Sequence, residues 1–175
     1  MVAMPERQLP LVQRHQLRQQ TTEGHRILAA GDRQQQSASA GQQIRLLQQA
    51  GLEIALLSGG QGGATEVRAR QLGIRHCLVG IKDKPAALTA LQAELGVTAT
   101  GTAFVGDDLN DLAVRPVVGL LLAPADACQA VRLRADAILN QPGGHGAVRE
   151  LAERLLQARG GWEMLSRKGC RDRND

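Results

Sequence analysis

Aromatic residues are nearly absent from this 175-residue chain, which has one Phe, one Trp and no Tyr. Proteins that bind single-stranded nucleic acids stack the bases on aromatic side chains, so this composition counts against that class. The formal net charge is only +4, and the arginines are scattered instead of forming one basic surface. We therefore expect no nucleic-acid partner.

Cysteine is also scarce, and long apolar runs are missing. Cys77, Cys128 and Cys170 form no Cys-x-x-Cys pair and are odd in number, which argues against a disulfide scaffold or a zinc ribbon. No apolar run approaches the roughly 20 residues that span a bilayer, and the start lacks the charged-then-apolar order of a signal peptide. We therefore expect no membrane partner and a cytoplasmic location.

Short apolar runs alternate with helical patterns from Gly41 onwards, and the length suits one domain. The patterns predict strands at 52–57, 75–79, 102–105, 117–122 and 137–139, and helices at 44–50, 63–72, 83–95, 109–115, 125–133 and 145–158. This alternation predicts an α/β fold with a doubly wound, mostly parallel sheet and helices on both faces.

Residues 1–40 differ from the rest because they are rich in Gln, Arg, His and Ser and hold no apolar period. We predict a divergent, poorly ordered segment at 1–40, a core at 41–160 and a charged tail at 161–175. Ile27 to Ala30 is the one strand-sized apolar piece of the first segment.

An acidic stretch follows the apolar run from Thr102 to Val105. It begins at Gly106, which is expected to let the backbone turn sharply, and continues with Asp107, Asp108 and Asp111. Adjacent carboxylates repel each other unless a cation or hydrogen bonds hold them. Asp107 is therefore a candidate ligand for Mg²⁺. The alternative is an Asp-rich loop that caps the next helix.

Ligands of open α/β sheets bind beyond the carboxyl ends of the strands. At those ends the sequence places Ser58-Gly59-Gly60, Lys84 and the Asp107-Asp108 pair. A hydroxyl, an ammonium and paired carboxylates suit phosphoryl transfer, in which a cation and a lysine neutralise phosphate charge.

These segments, in this order, resemble the haloacid dehalogenase superfamily of phosphatases, and within it the capless 3-deoxy-D-manno-octulosonate 8-phosphate phosphatase family. The resemblance covers roughly residues 41–160. It includes Ile44-Arg45-Leu46-Leu47, Leu56-Leu57-Ser58-Gly59, Arg68, Leu72-Gly73-Ile74, Lys82-Asp83-Lys84, Val105-Gly106-Asp107-Asp108-Leu109-Asn110-Asp111 and Gly143-Gly144-His145-Gly146-Ala147-Val148-Arg149-Glu150. The resemblance implies a Rossmann-like core without a cap domain. It also implies Mg²⁺-dependent hydrolysis of a small phosphorylated sugar acid through an aspartyl-phosphate, a role in lipopolysaccharide biosynthesis and a homotetramer.

The resemblance also implies roles for individual residues. Ser58 and Lys84 would be catalytic, and together with Gly59 and Gly60 they would bind the phosphoryl group. Asp107 and Asp108 would form the Mg²⁺ site, and Asp111 would orient the ligand or its waters without contacting the metal directly. Two positions depart from the family, because Gly60 and His145 stand where arginines are common.

The front of the chain departs further, because the family's Asp-x-Asp-Gly nucleophile motif does not occur before Gly41. Asp32 follows Ile27–Ala30 but lacks a second Asp two residues on, so we do not predict it as the nucleophile. Either the chain is a degenerate phosphatase or the residues before about 41 come from a shifted reading frame. With the motif strand missing, Ile27–Ala30 would have to take its central place in the sheet.

Two other functions stay open at this point. The first is a non-catalytic relative that binds a phosphorylated ligand or assembles with other subunits. The second is a nucleotide-binding domain that uses Gly59 to Gly63, although this loop lacks the Gly-Lys-Ser/Thr ending of a phosphate-binding loop.

Overall fold

One parallel sheet organises the protein, in a computed structural model that describes residues 26–30 and 38–160. Its six strands are β1 (Arg26–Ala30), β2 (Leu52–Leu57), β3 (His76–Leu78), β4 (Thr102–Val105), β5 (Leu120–Ala123) and β6 (Ala137–Ile138). They lie in the order β3-β2-β1-β4-β5-β6, and each neighbouring pair is parallel. The strand order reverses direction at β1, which is the topology of a doubly wound sheet.

Helices connect the strands. They are α1 (Ala38–Gln49), α2 (Ala64–Gln71), α3 (Lys84–Leu95), a 3₁₀ helix (Leu109–Val117), α4 (Gln129–Arg132) and α5 (Ala147–Ala158). Within residues 38–160 no segment forms a separate cap domain, as the family resemblance implies. None of the helices in the described part of the chain is long and apolar enough to cross a membrane.

Apolar side chains on both faces of the sheet explain the two layers of helices. On β2, Ile54 and Leu56 pack in a cluster with α1 and α5, whereas Ala55 and Leu57 pack in another cluster with α3 and the 3₁₀ helix. Successive strand residues point to opposite faces, so a strand that is apolar at consecutive positions has to be covered on both sides. The predicted α/β fold is confirmed.

Strand β1 occupies a central position, between β2 and β4. Its Ala30 pairs with Leu56 on one side and with Val105 on the other. The prediction that Ile27–Ala30 fills this place is therefore confirmed, and the sheet extends into the segment that composition set apart from the core at residue 41. The other residues before 38, including Asp32, and the predicted tail at 161–175 lie outside the described residues.

Two helix starts show how local sequence fixes the elements around the site. The Asp83 side chain accepts a hydrogen bond from the Ala86 N–H and caps α3, with Pro85 in the first turn, as predicted. The helix predicted at 109–115 is instead a 3₁₀ helix that runs to Val117 and contains Pro116. Proline donates no backbone hydrogen bond and disfavours the α conformation of the preceding residue, which opposes a regular α-helix here.

Candidate phosphate and metal site

A cavity of about 460 Å³ opens at the carboxyl edge of the sheet. The structure brings all the predicted site residues to its wall, although they come from three separate strand ends and loops. They are Ser58, Gly59, Gly60, Lys84, Asp107, Asp108 and Asp111. The grouping expected from the parallel topology is therefore present.

A buried ion pair forms the floor of this cavity. Lys84 Nζ lies 2.6 Å from Asp111 Oδ1, and the two side chains are only 9% and 2% exposed. The second carboxylate oxygen, Oδ2, accepts hydrogen bonds from the N–H groups of Asp107 at 2.9 Å and Asp108 at 3.1 Å. Asp111 thus holds both the Lys84 ammonium and the backbone of the acidic loop in place.

Gly106 allows Asp111 to approach the end of β4 this closely. A Cβ atom on Gly106 would lie 2.6 Å from Asp111 Cβ, which is too close for any real side chain. Gly106 does not have a positive φ. The expectation that glycine is needed here for a sharp turn is therefore wrong, because the requirement is steric.

Asp107 and Asp108 have different surroundings despite their adjacency. The Asp107 backbone is fixed on both sides, because its N–H donates to Asp111 and its carbonyl accepts from the Cys128 N–H at 2.9 Å. Asp108 is exposed, and its Oδ1 accepts from the Leu109 N–H at 2.7 Å and caps the 3₁₀ helix. The capping interpretation therefore applies to Asp108, while the half-buried Asp107 carboxylate faces the shared cavity.

The donor chemistry fits part of a Mg²⁺ site. Mg²⁺ is usually held by one or two carboxylates together with waters and substrate phosphates, and Asp107 offers such a carboxylate. In residues 26–30 and 38–160 no group of three or more His, Cys, Asp or Glu side chains is arranged to hold a metal ion. The described residues could thus supply a carboxylate ligand to a metal ion but not a complete set of protein ligands.

Ser58 is held rigidly at the end of β2. It is 2% exposed, its N–H donates to the Leu78 carbonyl, and its own carbonyl accepts from the Ile81 N–H. The Gly60 N–H donates to Ser58 Oγ at 3.0 Å. The Gly60 N–H therefore orients the serine hydroxyl in this structure. Gly60 was predicted to bind the phosphoryl group, and this N–H is already used by Ser58.

Sequence reasoning assigned no role to four further wall residues, which are Leu57, Asn110, Asp126 and Cys128. Asp126 Oδ1 accepts a hydrogen bond from the Gly143 N–H at 2.7 Å and so ties the loop before α5 to the cavity. Asp126 follows β5, so the rule that ligands bind beyond strand ends could have found it. Cys128 is a free thiol. His145 is exposed and is not part of the cavity wall.

Known proteins resemble the chain in both sequence and fold. A family profile described as haloacid dehalogenase-like hydrolase matches residues 7–114. The 3-deoxy-D-manno-octulosonate 8-phosphate phosphatase of Haemophilus influenzae is 38% identical over 117 residues, which make up 67% of this chain and 65% of that protein. The chain thus spans less than two thirds of the length of this relative.

Two solved structures share the fold. A 3-deoxy-D-manno-octulosonate 8-phosphate phosphatase from Yersinia pestis is 29% identical with a TM-score of 0.78, over 85% of this chain and 89% of that one. Its counterpart from Moraxella catarrhalis, in complex with magnesium ion, phosphate ion and KDO, is 25% identical with a TM-score of 0.80, over 90% of this chain and 97% of that one. Because the family profile covers more than half of the sequence, the chain belongs to the haloacid dehalogenase-like hydrolases.

Proposed function

We propose that this chain is a divalent-cation-dependent phosphatase that acts on a small sugar-acid phosphate. The observation that carries the proposal is the hydrogen-bonded unit of Lys84, Asp111 and the acidic loop, which shares one cavity with Ser58. The similarity to phosphatases of 3-deoxy-D-manno-octulosonate 8-phosphate supports the substrate class.

Four of the described residues have different roles in binding a phosphoryl group. The Ser58 hydroxyl donates to a phosphoryl oxygen, and Lys84 places a positive charge beside it. Asp111 holds the Lys84 ammonium and the Asp107 backbone in place. Asp107 would hold Mg²⁺, which when bound supplies positive charge that offsets the charge of the phosphate.

The overall reaction consumes water, breaks the ester P–O bond and releases an alcohol and inorganic phosphate. A phosphatase of this family needs a carboxylate that attacks phosphorus, and the Asp-x-Asp-Gly motif that carries it in the family does not occur before Gly41. In the sequence, Asp32 follows Ala30 by two positions. Ala30 pairs with Leu56 on β2 and with Val105 on β4. Ser58 lies two positions after Leu56, and Asp107 lies two positions after Val105. Asp32 is therefore the carboxylate to test, although it lies outside the described residues.

A second candidate function is non-catalytic binding of a phosphorylated ligand, or assembly with other copies of the chain into the tetramer that the family resemblance implies. The missing Asp-x-Asp-Gly motif favours this alternative, because the phosphate-binding side of the site persists without the usual nucleophile. It predicts Mg²⁺-dependent phosphate binding without turnover.

One set of variants separates the two functions. We would measure Mg²⁺-dependent hydrolysis of p-nitrophenyl phosphate by the full chain, by Asp107→Asn, by Asp32→Asn and by the control Glu94→Gln, an exposed residue of α3 outside the cavity wall. A phosphatase should lose roughly a hundredfold in kcat/KM in Asp107→Asn and keep its rate in Glu94→Gln. A comparable loss in Asp32→Asn would identify the nucleophile.

The other outcomes are equally informative. Equal rates for the full chain and Asp107→Asn would refute the phosphatase assignment. Calorimetric binding of phosphate with Mg²⁺ that disappears in Asp107→Asn, with no turnover by any protein, would support the non-catalytic function. An absence of both turnover and binding would refute the phosphatase assignment and the binding of a phosphorylated ligand.

A further inference from the structure

Two loops that follow β5 and β6 are joined to each other by hydrogen bonds. The first loop comprises residues 124–128, and the second comprises residues 139–146. The Ala125 N–H donates to the Gln141 carbonyl at 3.1 Å. The Asp126 carboxylate accepts from the Gly143 N–H at 2.7 Å. The second loop therefore holds the first one in place through two separate contacts.

The first of these loops contacts the acidic loop of the cavity directly. The Cys128 N–H, at the end of the first loop, donates to the Asp107 carbonyl at 2.9 Å. The Asp107 N–H is held from the other direction by the Asp111 carboxylate. Since the backbone carries the side chain, the position of the Asp107 carboxylate depends on where the first loop lies.

Glu150, in the first turn of α5, attaches the second loop to that helix. Its Oε1 accepts from the Asn140 N–H at 3.0 Å and from Asn140 Nδ2 at 2.9 Å, and its Oε2 accepts from the Gln141 N–H at 2.9 Å. The same carboxylate pairs with Arg154 and is only 14% exposed. Hydrogen bonds to an ionised group are stronger than those between neutral groups, so this attachment is a firm one.

We propose that Glu150 and Asp126 are positioning residues for Asp107, the candidate Mg²⁺ ligand. This inference rests on the proposed function, which assigns the cation to Asp107. Glu150 is not part of the cavity wall, and it acts through the second loop, the first loop and then the Cys128 N–H. Each contact along this path is a hydrogen bond between packed segments. Removing a group that holds a metal ligand in place typically weakens metal binding by about 10–100-fold.

Two glutamates of α5 provide a matched comparison in the full chain. Glu150 pairs with Arg154 and Glu153 pairs with Arg149, each across one helical turn, and Glu150 in addition holds the second loop. Calorimetric titration with Mg²⁺ should show binding roughly tenfold weaker in Glu150→Ala and unchanged in Glu153→Ala. Loss of an arginine pair on α5 would by itself affect the two variants alike. Circular dichroism checks that both variants are folded.

Asp126 is tested by two substitutions that both remove its charge. In Asp126→Asn the side-chain carbonyl can still accept from the Gly143 N–H, whereas in Asp126→Ala this contact is lost. The difference between the two variants therefore measures the hydrogen bond and not the charge of the cavity. Mg²⁺ should bind roughly fivefold more weakly to Asp126→Ala than to Asp126→Asn, as expected for one hydrogen bond. Because Asp126 is exposed, this pair decides the question if Glu150→Ala does not fold.

Three outcomes would overturn the inference while leaving the phosphatase function intact. They are equal Mg²⁺ affinities of the full chain and Glu150→Ala, equal losses in Glu150→Ala and Glu153→Ala, and equal affinities of the two Asp126 variants. If the full chain binds no Mg²⁺, the cation dependence of the proposed function fails, and the positioning roles of Glu150 and Asp126 fail with it.

Discussion

The Lys84–Asp111 ion pair gives the sharpest test of how the site is built. Asp111→Asn keeps the volume of the side chain but removes its charge, while Lys84 stays buried. The asparagine carbonyl can still accept from the Asp107 and Asp108 N–H groups, whereas its amide N–H₂ would face the Lys84 ammonium. The variant therefore isolates the loss of charge compensation from the loss of the loop contacts.

The magnitude follows from the burial of both side chains, which are 9% and 2% exposed. Removing one partner of a buried ion pair leaves an uncompensated charge and costs about 3–5 kcal/mol. Because Asp111→Asn can retain two hydrogen bonds, we expect the lower end, about 3 kcal/mol of unfolding free energy. For a chain of this size that corresponds to a decrease in Tm of roughly 6–12 °C.

Urea unfolding followed by circular dichroism measures this cost. The double variant Lys84→Met with Asp111→Asn removes the stranded charge as well, so it should be more stable than Asp111→Asn by about 1–2 kcal/mol. The reasoning fails if Asp111→Asn loses less than about 1 kcal/mol, or if adding Lys84→Met destabilises it further. Either result would mean that water compensates Lys84 and that the pair does not organise the cavity.

Three further substitutions test neighbouring parts of the argument. Gly106→Ala should displace Asp111 and cost about 1–3 kcal/mol by overpacking, with a matching loss of phosphate binding by calorimetry; unchanged binding would contradict the steric role of this glycine. Asp83→Ala should cost about 1 kcal/mol in urea unfolding through loss of the α3 cap, and no change would show the cap to be replaced by water. Phe104→Ala, at a fully buried position, should cost about 3–5 kcal/mol, and a cost below about 1 kcal/mol would show that the core refills the space.

The carboxyl-edge grouping of Ser58, Lys84 and Asp107 was predictable because parallel strands all end at one edge of the sheet. The alternation of apolar strands and helices is enough to predict a parallel sheet without knowledge of side-chain contacts. The strand pattern cannot show which carboxylate oxygen accepts a hydrogen bond from which donor. Asp108 caps the 3₁₀ helix and Asp111 binds Lys84, and these different roles depend on local hydrogen bonds.

The requirement for Gly106 was misassigned because a glycine after a strand fits two physical causes. One is a positive φ, and the other is the close approach of another group. Only the position of Asp111, five residues later and folded back over the strand end, distinguishes them. The position of Asp126 after β5 could have been found by the strand-end rule, but the hydrogen bond that it accepts from the Gly143 N–H across the fold could not.

The pairing of strand β1 bears on how the missing nucleophile motif is interpreted. Its backbone pairs with β2 and β4 on both sides, so the sheet is complete at its centre without an Asp-x-Asp-Gly sequence. The family profile begins at residue 7, which favours a diverged but genuine first segment, whereas the Gln-rich composition before residue 41 favours a shifted reading frame. Sequencing the gene separates the two, because a shifted frame must encode Asp-x-Asp-Gly upstream. If no frame does, Asp32 is the remaining candidate in the sequence before Gly41, and the rate of Asp32→Asn becomes the measurement that distinguishes an enzyme from a binding protein.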